Sequence, residues 1–229
     1  MLKNSPRLSA ALALCLLVPA ASMGTAAGLY VPGTIGQLIF AATKVWLLAF
    51  PLIWFLQVDR GKVALSFPLW RDLLGGIALG LLMFGVIVGA YSLVGQQWID
   101  PAIVQAKAQQ VGLTEPKLYL LGAFYFTFIN SLAEEYIWRW FVYQRCEVLV
   151  PGKRAIALAA LCFTLHHMIA LLAYTGSVGA VALGSLGVFL AGAIWSWCYL
   201  TYRSLWACYV SHLLADLAIG LIGWKLLFA

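Results

Sequence analysis

The chain has 229 residues, of which 64% are hydrophobic and only 10% charged, with a mean hydropathy of +0.94 and a net charge of +6. Soluble domains carry about a quarter charged residues, so this composition excludes an ordinary soluble protein and predicts an all-α, polytopic membrane bundle. The surplus Lys and Arg residues fall in ones and twos between apolar runs, as topology determinants do, and form no basic patch of the nucleic-acid-binding kind.

Seven spans are expected, each near the ~20 residues that cross a bilayer: residues 8–30, 36–56, 73–95, 118–143, 155–173, 178–200 and 205–228. The first follows Lys3 and Arg7 and ends in "ASMGTAAG". It reads either as a signal peptide with a small-residue cleavage site or as a retained helix, and the retained helix is the expectation because the apolar run continues to about Val31. Lys44, inside the second span, is expected to snorkel to the outer interface. The connection 96–117 is the most polar stretch and is expected to form an interfacial helix or lid. Gly179, Gly184, Gly187 and Gly192 in the sixth span suit close helix packing. Cys15, Cys146, Cys162, Cys198 and Cys208 form no CxxC pair and read as small buried hydrophobes. No internal repeat is visible. The expectation is one domain, 1–229, with N-terminal helices and a loop over 1–117 and a core over 118–220.

Orientation follows from basic residues. With the N-terminus cytoplasmic, inside segments carry Lys3, Arg7, Arg60, Lys62, Arg71, Arg145, Lys153, Arg154 and Arg203, and outside segments carry Lys107, Lys117 and Lys225. This obeys the positive-inside rule.

Ionisable groups within spans are costly, and each is a functional candidate. Glu135 and Arg139 are four residues apart on one helical face and can pair. Glu134 is turned about 100° away from Glu135, so the same arginine cannot easily serve both, and a carboxylate without its own cation suits a general base. In "CFTLHHMIA" Phe163 and His167 share a face, while His166 points elsewhere and reads as a packing residue. His212 and Asp216 are again four apart, which lets the carboxylate orient the imidazole. Counted along their helices at 1.5 Å per residue, Glu134, His167 and His212 lie roughly 16, 20 and 14 Å below the cytoplasmic surface. A polar cavity opening to the cytoplasm accounts for all three.

Three short patterns then occur in order: Glu134-Glu135 followed three residues later by Arg139, Phe163 followed by His167, and His212 followed by Asp216. Together they resemble the CAAX prenyl protease 2 family, also called the CPBP or ABI intramembrane proteases, over about residues 118–220. Trp140 stands where that family often has glycine after the arginine. The resemblance implies a membrane endopeptidase in which Glu134 activates water with His167. His212 and Asp216 would hold the developing oxyanion, and Glu135, Arg139 and Phe163 would support the site. It further implies a protein or peptide substrate and residence in a bacterial inner membrane.

No serine or cysteine in these patterns has a neighbouring base, so a covalent mechanism is not expected. No cofactor is expected either. A zinc version remains open, because two histidines and a glutamate match some catalytic zinc sites, although no H-E-x-x-H helix is present. Two readings from other classes also stand: a proton-coupled transporter using Glu134, His167 and His212 as a relay, and a non-catalytic immunity or scaffold protein. A transporter of this kind commonly shows an inverted repeat, and none is seen.

Overall fold

Long apolar runs punctuated by capping residues dictate this chain's helices. In a computed structural model that describes residues 5–62 and 67–229, all regular structure is helical. Lys3, used in the orientation argument, lies outside the described residues. Helix α1 spans Pro6–Tyr30 and α2 Gly33–Gln57, with α3 over Trp70–Trp98. The short α4, Pro101–Gln110, starts at Asp100, whose Oδ1 accepts the Ala102 amide at 2.9 Å. A continuous helical run, α5, covers residues 116–149. Helix α6, Lys153–Thr175, begins after Gly152 and stops at Gly176, both with positive φ, conformations that glycine adopts without strain. Helices α7, Val178–Tyr202, and α8, Trp206–Phe228, complete the chain.

Six of these helices, α1, α2, α3, α6, α7 and α8, are long and apolar enough to cross a membrane. The expected fourth span departs from that form. Helix α5 is broken by two π-helical segments, Tyr125–Asn130 and Tyr136–Tyr143, on either side of the α-helical Ser131–Glu135. Such bulges shift side-chain register and occur often at functional sites.

The helix ends gather at two opposite faces. On one, Arg7 donates to the Leu149 carbonyl at 2.9 Å, Arg145 pairs with Asp59, and Arg203 pairs with Glu147 at 2.9 and 3.0 Å. The buried Asp72 there accepts from Ser204 at 3.1 Å, tying the start of α3 to the α7–α8 turn. On the other face α4 forms in the polar connection, as anticipated. Its Lys107 and Gln110 both donate to the Leu29 carbonyl, at 2.9 and 3.3 Å, and Gln105 reaches the Leu226 carbonyl at 3.2 Å. Tyr119 of α5 bonds the Gly220 carbonyl near the same face, so α5 runs from one face to the other as the six apolar helices do.

Glycines set the close contacts. A Cβ on Gly192 of α7 would meet Phe163 of α6 at 3.0 Å, which bears out the packing reading of the sixth span at that residue. On α3, a Cβ at Gly80 would lie 2.6 Å from Leu214 and 3.0 Å from the Ser211 backbone of α8. All five cysteines are free thiols; Cys146, Cys198 and Cys208 are buried as expected, Cys162 is half-buried, and Cys15, expected to be buried, is exposed on the outward side of α1.

Helix α8 carries His212 and Asp216 beside this contact, which makes Gly80 a stability prediction. Gly80→Val should lower unfolding stability in detergent by about 1–3 kcal/mol through overpacking. Gly75→Ala, where nothing lies within 4 Å, should stay within about 0.5 kcal/mol of the parent.

Candidate active site

The segment Ser131–Glu135, held between the two π-helical turns, presents both glutamates to the interior. Glu135 is fully buried and Arg139 is 1% exposed; their Oε2 and Nε lie 3.1 Å apart. The guanidinium sits over the rings of Phe163 and Trp195, at 4.6 and 5.0 Å from their centroids. Aromatic faces attract cations, so α6 and α7 grip the arginine that neutralises Glu135. The expected pairing of Glu135 with Arg139 is thus present, and Phe163 supports it.

Glu135 has a second partner that the spacing did not reveal. Its Oε1 stands 2.7 Å from Nδ1 of His212. Against a carboxylate already facing a guanidinium, Nδ1 is assigned the proton and donates it, which fixes the ring and turns Nε2 toward Glu134. Trp195 stacks on the same imidazole at 4.1 Å and is itself anchored by its Nε1–H donating to Ser211 at 2.7 Å.

Asp216, expected to orient His212, does so only at a distance. Its Oδ1 is 3.7 Å from His212 Nε2, while its Oδ2 accepts from Ser131 at 2.7 Å. A separation of 3.7 Å is beyond a direct hydrogen bond. The i, i+4 rule places Asp216 near the ring, but the closer carboxylate comes from another helix.

Glu134 lies at the meeting point. His212 Nε2 is 3.7 Å from its Oε2, His167 Nε2 is 4.0 Å from Oε2, and His166 Nε2 is 3.9 Å from Oε1. His167 is held by its Nδ1 against the Phe163 carbonyl at 3.0 Å, so the i, i+4 relation of Phe163 and His167 fixes the histidine through the backbone as well as the ring. His166 stacks on Trp138, rings 5.0 Å apart and 7° from parallel, as a packing residue would, yet it also reaches Glu134. Adjacent residues on a helix differ by about 100°, and a carboxylate between them is accessible to both. That is why periodicity alone dismissed His166.

Lys44 is the other residue misplaced by sequence reasoning. Instead of snorkelling to the interface, its ammonium donates to Asn130 Oδ1 at 2.9 Å, and Asn130 Nδ2 donates to Glu134 Oε1 at 3.0 Å. A polar partner within the bundle outcompetes the reach to water, and Asn130 carried no charge to draw attention to it.

Lys44, Asn130, Glu134, His166 and His167 line a cavity of about 460 Å³, whose rim includes Val31, Pro32, Gln110 and Leu113. The cavity therefore opens at the face carrying the α1–α2 turn and α4, opposite the face of Arg145 and Arg203. The expected opening at the basic, cytoplasmic side is corrected: residue counts along helices gave depth but not the end at which the helices part. Glu134, His166 and His167 each also bring one ligand atom, all within 4.8 Å of one another. This donor set fits a three-residue zinc site of two histidines and a glutamate.

The buried Glu135–Arg139 pair makes a direct prediction. Glu135→Gln or Arg139→Met, each leaving one buried charge without its partner, should destabilise the protein by about 3–5 kcal/mol. Thermal unfolding of the purified variants in detergent measures it.

Nothing matches the chain among curated proteins or among solved structures. A family model described as type II CAAX prenyl endopeptidase Rce1-like matches residues 116–218, the stretch that contributes Glu134, Glu135, Arg139, His166, His167, His212 and Asp216. With six helices long and apolar enough to span a bilayer, this integral membrane protein carries, over residues 116–218, a domain of the type II CAAX prenyl endopeptidase Rce1-like family.

Proposed function

We propose that the chain is an intramembrane endopeptidase in which Glu134 activates the attacking water. The observation that carries this reading is one carboxylate, lining a cavity within the bundle with His166 and His167, that faces three imidazole nitrogens, those two and that of His212, at 3.7–4.0 Å. Distances of that size are too long for direct hydrogen bonds and leave the oxygens of Glu134 available to a water. Asn130, donating to Oε1, fixes the carboxylate, and His167, locked at Nδ1 by the Phe163 carbonyl, offers Nε2 to the same water.

The steps follow from proton bookkeeping. Glu134 takes a proton as the water oxygen bonds to the substrate carbonyl carbon. The carbonyl oxygen gains charge and is met by the Nε2–H of a doubly protonated His212, whose Nδ1–H is held by Glu135. Collapse of the tetrahedral intermediate breaks the C–N bond while Glu134 returns its proton to the leaving nitrogen. An aimed donor of this kind is typically worth about 3–4 kcal/mol in the transition state. The charges balance without a metal: Arg139 offsets Glu135, His212 offsets Asp216, and Lys44 offsets Glu134 through Asn130. If zinc is bound by Glu134, His166 and His167, it would supply a more acidic bound water.

The substrate is a peptide presented from the membrane. With the N-terminus cytoplasmic, as the basic residues suggest, the cavity faces the opposite side. The bacterial inner membrane is the proposed location, and C-terminal processing of a membrane-anchored protein the proposed task.

Purified protein and a cleaved membrane substrate test the mechanism. Glu134→Gln should lose about 10²–10⁴-fold in activity, whereas Asp216→Asn should be tolerated, since an amide oxygen can still accept from Ser131. Activity should survive exhaustive chelation. Loss on chelation, restored by zinc and matched by one zinc per chain, would replace the metal-free mechanism with the zinc one.

A further inference from the structure

Beside Glu134 lies a second space, a chamber of about 20 Å³ between α1, α2, α5 and α6. A water needs at least about 10–15 Å³ and a few polar partners, so the chamber has room for one water and none for a peptide. Its lining supplies the partners. Lys44 has three donors, of which Asn130 takes one, and among the described residues it forms no ion pair. Thr43 Oγ1 donates toward the Ile39 and Phe40 carbonyls at 2.9 and 2.8 Å and keeps its lone pairs. His166 Nδ1 is buried and has no hydrogen-bond partner among the described residues. The remaining walls, with Ala21, Ile137 and Trp138, are apolar. Glu134 stands between this chamber and the larger cavity and lines both. His166, which also lines both, is 3.9 Å from Oε1; His167, which lines only the larger cavity, is 4.0 Å from Oε2.

We propose that the chamber is a water-binding site that keeps one water beside Glu134 while peptide fills the larger cavity, and yields it to the carboxylate for cleavage. This rests on the endopeptidase reading and adds the supply of that reaction's second substrate. Hydrolysis consumes one water for each bond broken. The larger cavity, however, has apolar walls that include Phe40, Leu29, Val111 and Phe126, and an apolar peptide packed against them drives solvent out. Water held only there leaves as the peptide enters. A water in the chamber is out of the peptide's reach by size and is held by Lys44, Thr43 and His166. It has only the width of one carboxylate to cross, from the side of Oε1 to that of Oε2. The site gives a use to two polar residues that the three sequence patterns leave out. Lys44 is costly inside a span unless its charge is used, and His166 carries a buried nitrogen that a water satisfies.

Hydroxyl-radical labelling reads the site without turnover. An X-ray pulse makes the radicals from water next to the protein in detergent, and mass spectrometry locates the modified side chains. Ile137 and Trp138 are buried and line the chamber but not the larger cavity. Both should be labelled well above Leu17 and Phe141, which are as deeply buried and line neither space. Ala21→Val, which puts two methyl groups into the chamber, should abolish that labelling. It should also lower kcat roughly tenfold at unchanged KM, within the cost of immobilising one water. Thr43→Val keeps the volume and removes the hydroxyl; it should reduce labelling and kcat together, which separates loss of the water from a packing fault in α1. Labelling of Ile137 and Trp138 no higher than that of Leu17 and Phe141 overturns the proposal. So does a variant that loses the labelling and keeps kcat, or one that loses kcat and keeps the labelling. Normal labelling in an unmutated protein that cleaves nothing would instead count against the endopeptidase reading, with the water site upheld.

Discussion

One buried carboxylate holds the site together. Glu135 faces Arg139 with one oxygen and His212 with the other, and so joins α5 to α8 in an interior where neither charge could stand alone. The guanidinium in turn rests on Phe163 of α6 and Trp195 of α7. Four helices therefore meet on a single ion pair. His212 presents Nε2 toward Glu134 because Glu135 already holds Nδ1, and Trp195 stacks on the ring to prevent it turning. The expensive buried pair is explained by the position it imposes on the imidazole, more than by any stability it contributes.

Much of this was legible in the sequence because its physics is local. Hydropathy marked the helices, and charges within apolar runs marked Glu134, Glu135, Arg139, His212 and Asp216 as exceptional. The Glu135–Arg139 pair and the shared face of Phe163 and His167 both follow from helical spacing. The misses are all long-range. Glu135 and His212 are separated by 77 residues, and Lys44 and Asn130 by 86; spacing along one helix cannot report either contact. The rule that gave His212 to Asp216 was correct about proximity and wrong about rank, since a 2.7 Å contact from another helix dominates one at 3.7 Å.

Helix α5 shows a second limit. An ideal α-helix turns about 100° per residue, and Glu134 was separated from Glu135 on that basis. The π-helical turns on both sides of Ser131–Glu135 reset the register of what precedes and follows. Asn130, on the last π-helical residue, stands between Lys44 and Glu134, and a single stretch of five residues supplies the acceptor for His212, the proposed base and the hydroxyl that holds Asp216. Nothing in composition signals such an interruption. The direction in which the cavity opens was equally hidden, because it depends on where α1, α2 and α4 part from α5 and α6.

The central claim is that peptide hydrolysis in the membrane depends on the carboxylate of Glu134. Membranes from cells producing the unmutated chain or Glu134→Gln, at equal levels of folded protein, can be compared for newly formed protein termini by mass spectrometry. The account predicts a set of termini, near the ends of membrane-associated proteins, that is present with the unmutated chain and absent with Glu134→Gln. The same termini at equal abundance in both samples would contradict it.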